Sequence, residues 1–368
     1  MKATILQENF KKALSFVGKI VTTKTQLPVL SNVLLETENG RIKVSSTNLE
    51  ASITFWVGAT IETEGAITVP ARLLSEIISS FSQEKVQIAT NQSILQLTCG
   101  ESEATLSGID AKEFPPLPSA SETKDACLKT DFLVKNLPLV VVSASSDEGR
   151  PLLTGVRFVV KNRELILAAT DGYRLSVKKT LETAGFEEGF VVPAKALVEA
   201  ARAAVDERAE EIELYFSKDR NQVLFLLPHL QISTRLIEGE YPAYEKIIPA
   251  SFLTRVIFVK EELVRGVKLA AIYARESANI VRLMIAGGKA VVSANTPQIG
   301  ENKTTIAVSK EGADGEIAFN VRFLLDFLQV FPEEQVVFEM NGALAPGVFK
   351  SSTDPSFLHI IMPVRVQS

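Results

Sequence analysis

Apolar and polar residues alternate along two stretches of the chain, residues 95–106 and residues 220–237. A period of two places the apolar side chains on one face of a strand, so both stretches predict antiparallel sheets with one buried face. Two other short strands, at 3–6 and 256–259, lead into amphipathic helices. Each section of the chain that is built in this way has two helices and many strands, so the predicted fold class is α+β.

The second helix of a section follows an apolar strand. Two of these strands end at Val69-Pro70 and Val192-Pro193, and the helices are predicted over residues 71–81 and 194–205. Proline suits the first helical turn because it has no N–H group to leave unpaired there. The sequence therefore predicts a strand, a proline and a helix in direct succession.

The same landmarks return three times, which indicates an internal repeat. The proline of the strand–helix junction recurs from Pro70 to Pro193 at an offset of 123, and Asn320 takes its place a further 127 residues on. A turn that contains threonine and the first helix of the section also recur at an offset of 123. Self-similarity at a fixed period is typical of repeated domains. We predict three copies of one domain, at residues 1–122, 123–249 and 250–368.

Each predicted helix carries a basic residue at a matched position of the repeat. The base lies two residues after a landmark position in all six helices: Lys12, Arg72, Lys135, Lys195, Arg265 and Arg322. The plain alternative is a solvated helix face that happens to be basic. The functional interpretation is one basic surface, which is built by all the helices and suits the phosphates of a nucleic acid.

Composition limits how such a surface can be used. Lys and Arg total 39 against 44 Asp and Glu, so the 368-residue chain has a formal net charge of −5. This balance argues against a protein that binds nucleic acid over its whole surface, whereas a basic patch on an acidic body is compatible with it. The 46% of hydrophobic and 23% of charged residues are typical of a globular protein.

Cysteine use and hydropathy indicate the compartment. The two cysteines, Cys99 and Cys127, form no CxxC motif, which favours a reducing environment. The N-terminus lacks the apolar run of a signal peptide, and the longest apolar stretches are far shorter than the ~20 residues that span a bilayer. We expect a cytoplasmic protein with no membrane partner.

The sequence shows no catalytic signature. Neither His229 nor His359 has a second type of metal ligand at helical spacing, and the glycine patterns of dinucleotide and phosphate loops are absent. Carboxylates at i and i+2, such as Glu36 and Glu38, are typical of a solvated strand face. We predict no catalytic residue, no metal and no cofactor. The alternatives are a nuclease subunit, which would need several convergent carboxylates, and a repeat scaffold that binds only proteins.

Six motifs spread over the whole chain carry a family resemblance. They are Leu27–Asn32, Thr68–Arg72, Ala169–Leu175, Ile237–Tyr244, Phe319–Val321 and Met362–Arg365. Together they resemble the bacterial sliding clamps, the beta subunits of DNA polymerase III. The resemblance implies a non-catalytic processivity factor with three DNA-clamp domains per chain, each with two helices on antiparallel sheets, that closes as a dimeric ring.

The resemblance also implies what the ring does. Two chains would close head to tail around double-stranded DNA, without reading its sequence, and would raise the effective concentration of the polymerase at the primer end. The six matched bases would line the hole, together with Lys24 on a loop. The residues implied at the dimer interface are Leu106 on one side and Ile272 and Tyr273 on the other.

The family has an apolar pocket for short linear motifs. The motifs come from the alpha subunit of the replicative polymerase, the clamp loader, other polymerases and repair proteins. Carried over residue by residue, the pocket consists of Leu153, Thr170, Gly172, Tyr173, Arg174, Leu175, Pro242, Ile247, Phe323, Leu344, Ile360, Met362, Pro363, Val364 and Arg365. This mixed apolar lining suits the leucine and phenylalanine side chains of different partners. The plain alternative for most of these residues is the core of a domain interface.

The chain departs from the family pattern at a few positions. Tyr173 stands where histidine is common, Lys246 replaces a frequent arginine, and Gln367 and Ser368 extend the tail. These differences bear on the shape of the pocket and on its peptide preference.

Overall fold

The computed structural model describes residues 1–22, 26–121, 123–180, 186, 189–276, 278–297 and 300–365. Three positions singled out in the sequence, Lys24, Gln367 and Ser368, lie outside the described residues. The chain divides into two compact units: Met1–Asp131 with Lys195–Leu236, and Phe132–Ala194 with Ile237–Ser368. Each unit combines one terminal repeat with part of the central repeat. The predicted domain boundaries near residues 122 and 250 stay a prediction.

The described residues contain the two α-helices per repeat that the sequence predicts. They are α1 (Gln7–Val17), α2 (Ala71–Ser80), α3 (Thr130–Val141), α4 (Ala194–Asp206), α5 (Lys260–Ala274) and α6 (Val321–Val330). In α1, the buried residues Phe10, Ala13, Leu14 and Val17 follow helical spacing. This is the one-sided apolar face of a helix that packs on a core.

The landmark prolines end their strands, and α2 and α4 begin at the next residue, as the sequence predicts. Pro70 is the N-cap of α2 and also the last residue of a strand, where it pairs with Asn32. Pro193 likewise ends a strand and pairs with Gly155. The missing N–H group therefore falls at the end of a sheet ladder rather than in the first helical turn.

The strands of the first repeat are β1 (Lys2–Leu6), β2 (Asn32–Glu38), β3 (Arg41–Thr47), β4 (Ala51–Gly58), β5 (Thr60–Thr63), β6 (Ala66–Pro70), β7 (Lys85–Asn91), β8 (Ile94–Cys99) and β9 (Ser102–Ser107). Those of the central repeat are β10 (Ala126–Lys129), β11 (Gly155–Lys161), β12 (Glu164–Thr170), β13 (Arg174–Thr180), β14 (Phe190–Pro193), β15 (Glu211–Phe216), β16 (Gln222–Leu226) and β17 (Leu230–Arg235). The third repeat has β18 (Thr254–Val259), β19 (Ile280–Ala286), β20 (Lys289–Thr296), β21 (Gly300–Ala307), β22 (Ser309–Gly312), β23 (Gly315–Asn320), β24 (Gln335–Met340), β25 (Gly347–Ser351) and β26 (Phe357–Ile361).

The first unit contains two antiparallel sheets. One has the order β5-β1-β7-β8-β9, and the other has the order β10-β15-β16-β17-β4-β3-β2-β6. The second sheet is continuous across two repeats, because β17 of the central repeat pairs with β4 of the first. Helices α1 and α2 pack against each other in this unit.

The second unit is built on the same plan. Its larger sheet has the order β14-β11-β12-β13-β26-β25-β24-β18-β22, and its smaller sheet has the order β21-β20-β19-β23. Here β26 of the third repeat pairs with β13 of the central repeat. Helices α5 and α6 pack together over a buried cluster that includes Phe258, Phe319, Phe327 and Phe338.

Neighbouring repeats are joined by two strand pairs, β4 with β17 and β13 with β26, which we call the seams. The two seams have the same register. Ala51 lies opposite Thr234 in the first seam, and Arg174 lies opposite Ile361 in the second. The steps from 51 to 174 and from 234 to 361 are the offsets of 123 and 127 that the sequence landmarks show. The internal repeat is therefore preserved to the residue in the pairing of strands.

Candidate functional site

The predicted pocket begins at a tight turn between β12 and β13. The hydroxyl of Thr170 accepts a hydrogen bond from the N–H group of Gly172 at 3.1 Å and donates one to the carbonyl oxygen of Arg174 at 2.6 Å. Asp171 Oδ1 accepts from the N–H groups of Tyr173 and Arg174 at 2.8 and 2.9 Å. Gly172 has a φ of +91°, which favours glycine. Side chains of the Thr-Asp-Gly motif thus hold the backbone of the turn.

The side chain of Arg174 connects this turn to α6. Its Nε donates to Asp171 Oδ2 at 3.0 Å, and its Nη1 donates to Asp326 Oδ2 at 2.8 Å. The guanidinium carbon lies 4.6 Å from the ring centroid of Phe323, on the same helix as Asp326. A guanidinium held by two carboxylates over an aromatic ring has a defined orientation.

Two aromatic side chains extend this arrangement toward solvent. The ring of Tyr173 stacks on that of Phe323, with centroids 6.3 Å apart and planes 24° apart. Tyr173 is 58% exposed, whereas stacked aromatic rings in a domain core are mostly buried. The pair can therefore offer an aromatic surface to a ligand.

The C-terminal tail passes beside this surface. The N–H group of Met362 donates to the carbonyl oxygen of Tyr173 at 2.8 Å, and that of Val364 donates to the carbonyl oxygen of Ala318 at 2.8 Å. Met362, Pro363 and Val364 are partly buried, whereas Arg365 is exposed. Backbone hydrogen bonds thus hold the tail against both the central and the third repeat.

The floor of the predicted pocket is apolar and buried. Leu175 and Ile360 face each other across the β13–β26 seam and are fully buried. They share a cluster with Tyr241 and Tyr244, and Leu152, Ile237 and Ile248 pack against it. Burial raises the pKa of Tyr244 to about 12, so this ring stays neutral at physiological pH.

The contacts in the structure connect some of the residues of the predicted pocket. Hydrogen bonds, ring contacts and strand pairing link Thr170, Gly172, Tyr173, Arg174, Leu175, Phe323, Ile360 and Met362. Three more apolar members are exposed: Pro242, Ile247 and Leu344. Leu153 is partly buried at the end of a 3-10 turn, and Pro363, Val364 and Arg365 belong to the tail. The complete pocket stays a prediction.

The seam between the first and central repeats is chemically different. The positions of Leu175 and Ile360 are taken there by Ser52 and Ser233, whose hydroxyls form a hydrogen bond of 2.5 Å. Arg174 corresponds to Ala51 in the repeat, because Arg174 pairs with Ile361 and Ala51 pairs with Thr234 at the same place in the two seams. The chain therefore has an apolar floor with an arginine beside it at one of its two seams.

A buried histidine lies beneath the Arg174 cluster. His359 is fully buried, and its Nδ1 is 2.8 Å from the hydroxyl of Ser176. Its ring stacks on Phe327 at a centroid distance of 4.6 Å, and its Nε2 has no hydrogen-bond partner in the described part of the chain. Burial, together with the nearby charge of Arg174, lowers the pKa of His359 to about 3. The residue is a neutral part of the core.

This depressed pKa predicts a specific loss of stability in acid. Between pH 6.5 and pH 3 the folded His359 stays neutral while the unfolded chain takes up a proton, so acid favours unfolding. The free energy of unfolding should fall by about 2 kcal/mol through this residue between pH 7 and pH 5. Urea unfolding of the wild type and of His359→Gln at both pH values measures the difference. An equal pH dependence in both proteins would contradict the assignment.

The six matched bases are all exposed on their helices. Carboxylate partners within the first unit are described for Lys12 and Arg72. Lys12 lies 2.5 Å from the buried carboxylate of Glu207, and Arg72 lies 2.8 Å from Glu76 one helical turn on. Lys12 therefore contributes to the seam between the first and central repeats, as well as to the exposed surface of α1.

Helix α5 adds basic residues that sequence reasoning did not single out. A cavity of about 390 Å³ is lined by Lys260, Glu261, Val264, Arg265 and Lys268. Lys268 lies three residues after Arg265, so both bases project from the same side of the helix. The three-residue spacing of Arg265 and Lys268 is the sequence signal that indicates this second base. A comparison of one position per helix between the repeats does not detect it.

The predicted interface residues lie at the ends of their respective sheets or helices. Leu106 is buried on β9, a terminal strand of the five-stranded sheet. Ile272 is exposed near the end of α5, and Tyr273 is partly buried against the core of the second unit.

The described residues hold no group of three or more His, Cys, Asp or Glu side chains that could bind a metal ion. No helix among them is long and apolar enough to cross a membrane.

Three family models match consecutive segments of the chain. They describe the N-terminal, central and C-terminal domains of the DNA polymerase III beta subunit, and they match residues 1–118, 127–243 and 245–365. The segments follow one another in the order of the three repeats.

Individual relatives agree with the family models. The beta sliding clamp of Staphylococcus aureus is 29% identical over 377 residues, which cover 99% of each chain. The crystal structure of the DNA polymerase III beta chain of Streptococcus pneumoniae is 30% identical and superposes with a TM-score of 0.94 over 99% of this chain and 100% of that one. The DnaN sliding clamp of Bartonella birtlesii, solved with bound griselimycin, is 26% identical, with a TM-score of 0.94 over 100% of both chains.

Proposed function

The chain belongs to the family of DNA polymerase III beta subunits, the beta sliding clamps, and we propose that two copies of it close head to tail into a ring around duplex DNA. Its function is that of a processivity factor in DNA replication, without catalytic activity of its own. We propose that it acts in the cytoplasm and that its three domains meet near residues 122 and 250.

The repeated seam is the observation that supports the proposed dimeric ring. In the two seams, the last strand of one repeat pairs with the fourth strand of the repeat before it: β17 with β4, and β26 with β13. Among the described residues, the equivalent strands without such a partner are β9 and β21, each a terminal strand of its sheet. Terminal strands present unpaired backbone groups, so a second copy that pairs β9 with β21 would satisfy them.

The repeat also predicts the register of that third seam. When the strand ladders are followed through each repeat, Thr105 takes the place of Ser233, and Glu301 takes the place of Ser52. We therefore expect Thr105 to face Glu301 across the interface. Two residues along the antiparallel pair, the exposed Glu103 would face the exposed Lys303, and opposite charges stabilise a cross-strand pair.

An engineered disulfide tests both the dimer and its register. The double variant Glu103→Cys with Lys303→Cys, in a Cys127→Ser background, should form a covalent dimer on mild oxidation, because directly opposite residues have Cβ atoms within disulfide reach. The matched control, Glu103→Cys with Glu301→Cys, displaces one cysteine by two positions and should cross-link much less. Non-reducing gels measure both. A wild type that stays monomeric in light scattering at micromolar concentration, or preferential linking of the control, would contradict the proposed seam.

We also propose that the exposed helix bases face the encircled DNA. The closed dimer would carry two copies of each of the six, directed at phosphates rather than base edges. Lys12 and Arg72 each lie beside one carboxylate, Glu207 and Glu76. The cavity at α5 is lined by three bases, Lys260, Arg265 and Lys268, and by one carboxylate, Glu261, so we expect this part of α5 to contribute more to the local potential. Lys24 stays a proposal of the sequence alone.

Partner proteins would dock at the predicted pocket. The supporting features are the exposed Tyr173–Phe323 stack, the apolar floor of Leu175 and Ile360, and the tail that passes beside them. These suit leucine and phenylalanine anchors of short linear motifs from the polymerase alpha subunit, the clamp loader, other polymerases and repair proteins. Since the other seam has serines at the floor positions, we propose one such pocket per chain and two per ring.

A further inference from the structure

A charged residue outside the predicted pocket reaches its central arginine. Asp326 lies on α6, three residues after Phe323, so the two side chains project from neighbouring positions on the helix. Its carboxylate accepts the hydrogen bond from Arg174 Nη1 at 2.8 Å. The Arg174 side chain is 11% exposed and that of Asp326 is 47% exposed. Asp326 therefore holds a nearly buried cation from the solvent side.

The two carboxylates around Arg174 have different anchors. Asp171 is fixed by its own turn, because its Oδ1 already accepts the N–H groups of Tyr173 and Arg174. Its bond to Arg174 consequently stays within the central repeat. Asp326 belongs to the third repeat, so its bond to Arg174 joins the turn of one repeat to the helix of the next.

This bond determines where the aromatic surface lies. A guanidinium has donors in a fixed planar fork, so carboxylates at Nε and Nη1 together set its rotation. That rotation places the guanidinium over Phe323 at 4.6 Å, and Tyr173 stacks on the same ring. Without Asp326, Asp171 is the one carboxylate in the described part of the chain that still binds Arg174, and α6 loses its charged link to the Tyr173 turn.

We propose that Asp326 is a positioning residue of the peptide pocket, which acts through Arg174 to hold the Tyr173–Phe323 surface in its binding geometry. The inference rests on the proposed peptide-binding function. Asp326 is not a member of the predicted pocket, because an acidic residue on a solvated helix face carries no signal of its own in the sequence. Its role depends on a partner 152 positions away in the chain.

Calorimetry with the synthetic peptide Gln-Leu-Ser-Leu-Phe on the full-length protein tests this role. Asp326→Asn should raise the dissociation constant about fivefold, since one charge-assisted hydrogen bond is lost from the positioning network. Asp326→Glu keeps the carboxylate and should bind within about twofold of the wild type. Thermal unfolding of each variant, recorded in parallel, should match the wild type, because a half-exposed ion pair contributes little to stability.

Helix α4 offers a matched control. Asp206 is 46% exposed and lies 3.9 Å from Arg202 in the same helix, so Asp206→Asn removes a similar charge from a similar environment. This variant should bind the peptide like the wild type. If the wild type itself does not bind the peptide, the pocket proposal is overturned. If the wild type binds, and Asp326→Asn binds equally well or Asp326→Glu fails to restore affinity, the positioning role alone is overturned.

Discussion

We expect the protein, once loaded onto nicked circular DNA, to stay with that DNA through gel filtration and to be lost when the circle is cut. A closed ring is retained by topology, so a free DNA end is an exit. We expect the exposed bases of the helices to contact phosphates too sparsely to hold the duplex by affinity. In the experiment the protein is loaded with a clamp loader from the same organism, and retention is measured as clamp that coelutes with DNA before and after linearisation.

Salt separates topology from affinity in the same experiment. Direct binding to linear DNA should be weak and should fall steeply between about 50 and 200 mM salt, because counterion release drives it. Retention on the circle should be nearly unchanged over this range. Blocking both ends of the linear DNA with a bound protein should restore retention and serves as the control. Equal retention on circular DNA and on linear DNA with free ends would contradict the ring.

Removal of the tail should abolish partner binding. Deletion of residues 362–368 begins directly after β26, and it removes Met362 and the bonds of the tail to Tyr173 and Ala318. A peptide of the Gln-Leu-x-Leu-Phe type should then show no binding in calorimetry, while the dimer mass in light scattering stays unchanged. Unchanged peptide binding after the deletion would show that the pocket lies elsewhere.

A point variant tests the same pocket without shortening the chain. Leu344→Ala should weaken peptide binding by about 2 kcal/mol if its side chain is an anchor of the pocket. Leu253→Ala is the matched control, because Leu253 and Leu344 are both 62% exposed in the second unit. The control variant should bind like the wild type. Equal losses in the two variants would indicate a general effect on folding rather than a contact with the peptide.

Local patterns in the sequence determined the elements of this protein. Apolar spacing of three and four produces a one-sided helix, and alternation produces a strand, so α1 and the β8–β9 hairpin could be predicted from neighbours in the chain alone. The turn at Thr170–Arg174 is local as well, since its hydrogen bonds join residues two to four apart. The repeat offsets of 123 and 127 were readable because three copies carry the same local signals.

The tertiary structure decided which of these elements meet. No periodicity indicates that β4 pairs with β17 or β13 with β26, because those seams join residues more than 170 positions apart. Lys12 illustrates the consequence: its position marks it as a surface base, whereas its ammonium lies against the buried Glu207, 195 positions away.

Some residues of the candidate site could likewise be predicted from the sequence, and others depend on the tertiary structure. The family resemblance assigned Tyr173, Arg174 and Phe323 to the predicted pocket, and it left Asp326 unmarked. Asp326 has a role only because the seam brings α6 to the Arg174 turn. A helical acid has the same local pattern whether it faces water or an arginine of another repeat. Its function is therefore set by long-range strand pairing, which a reading of neighbouring residues cannot supply.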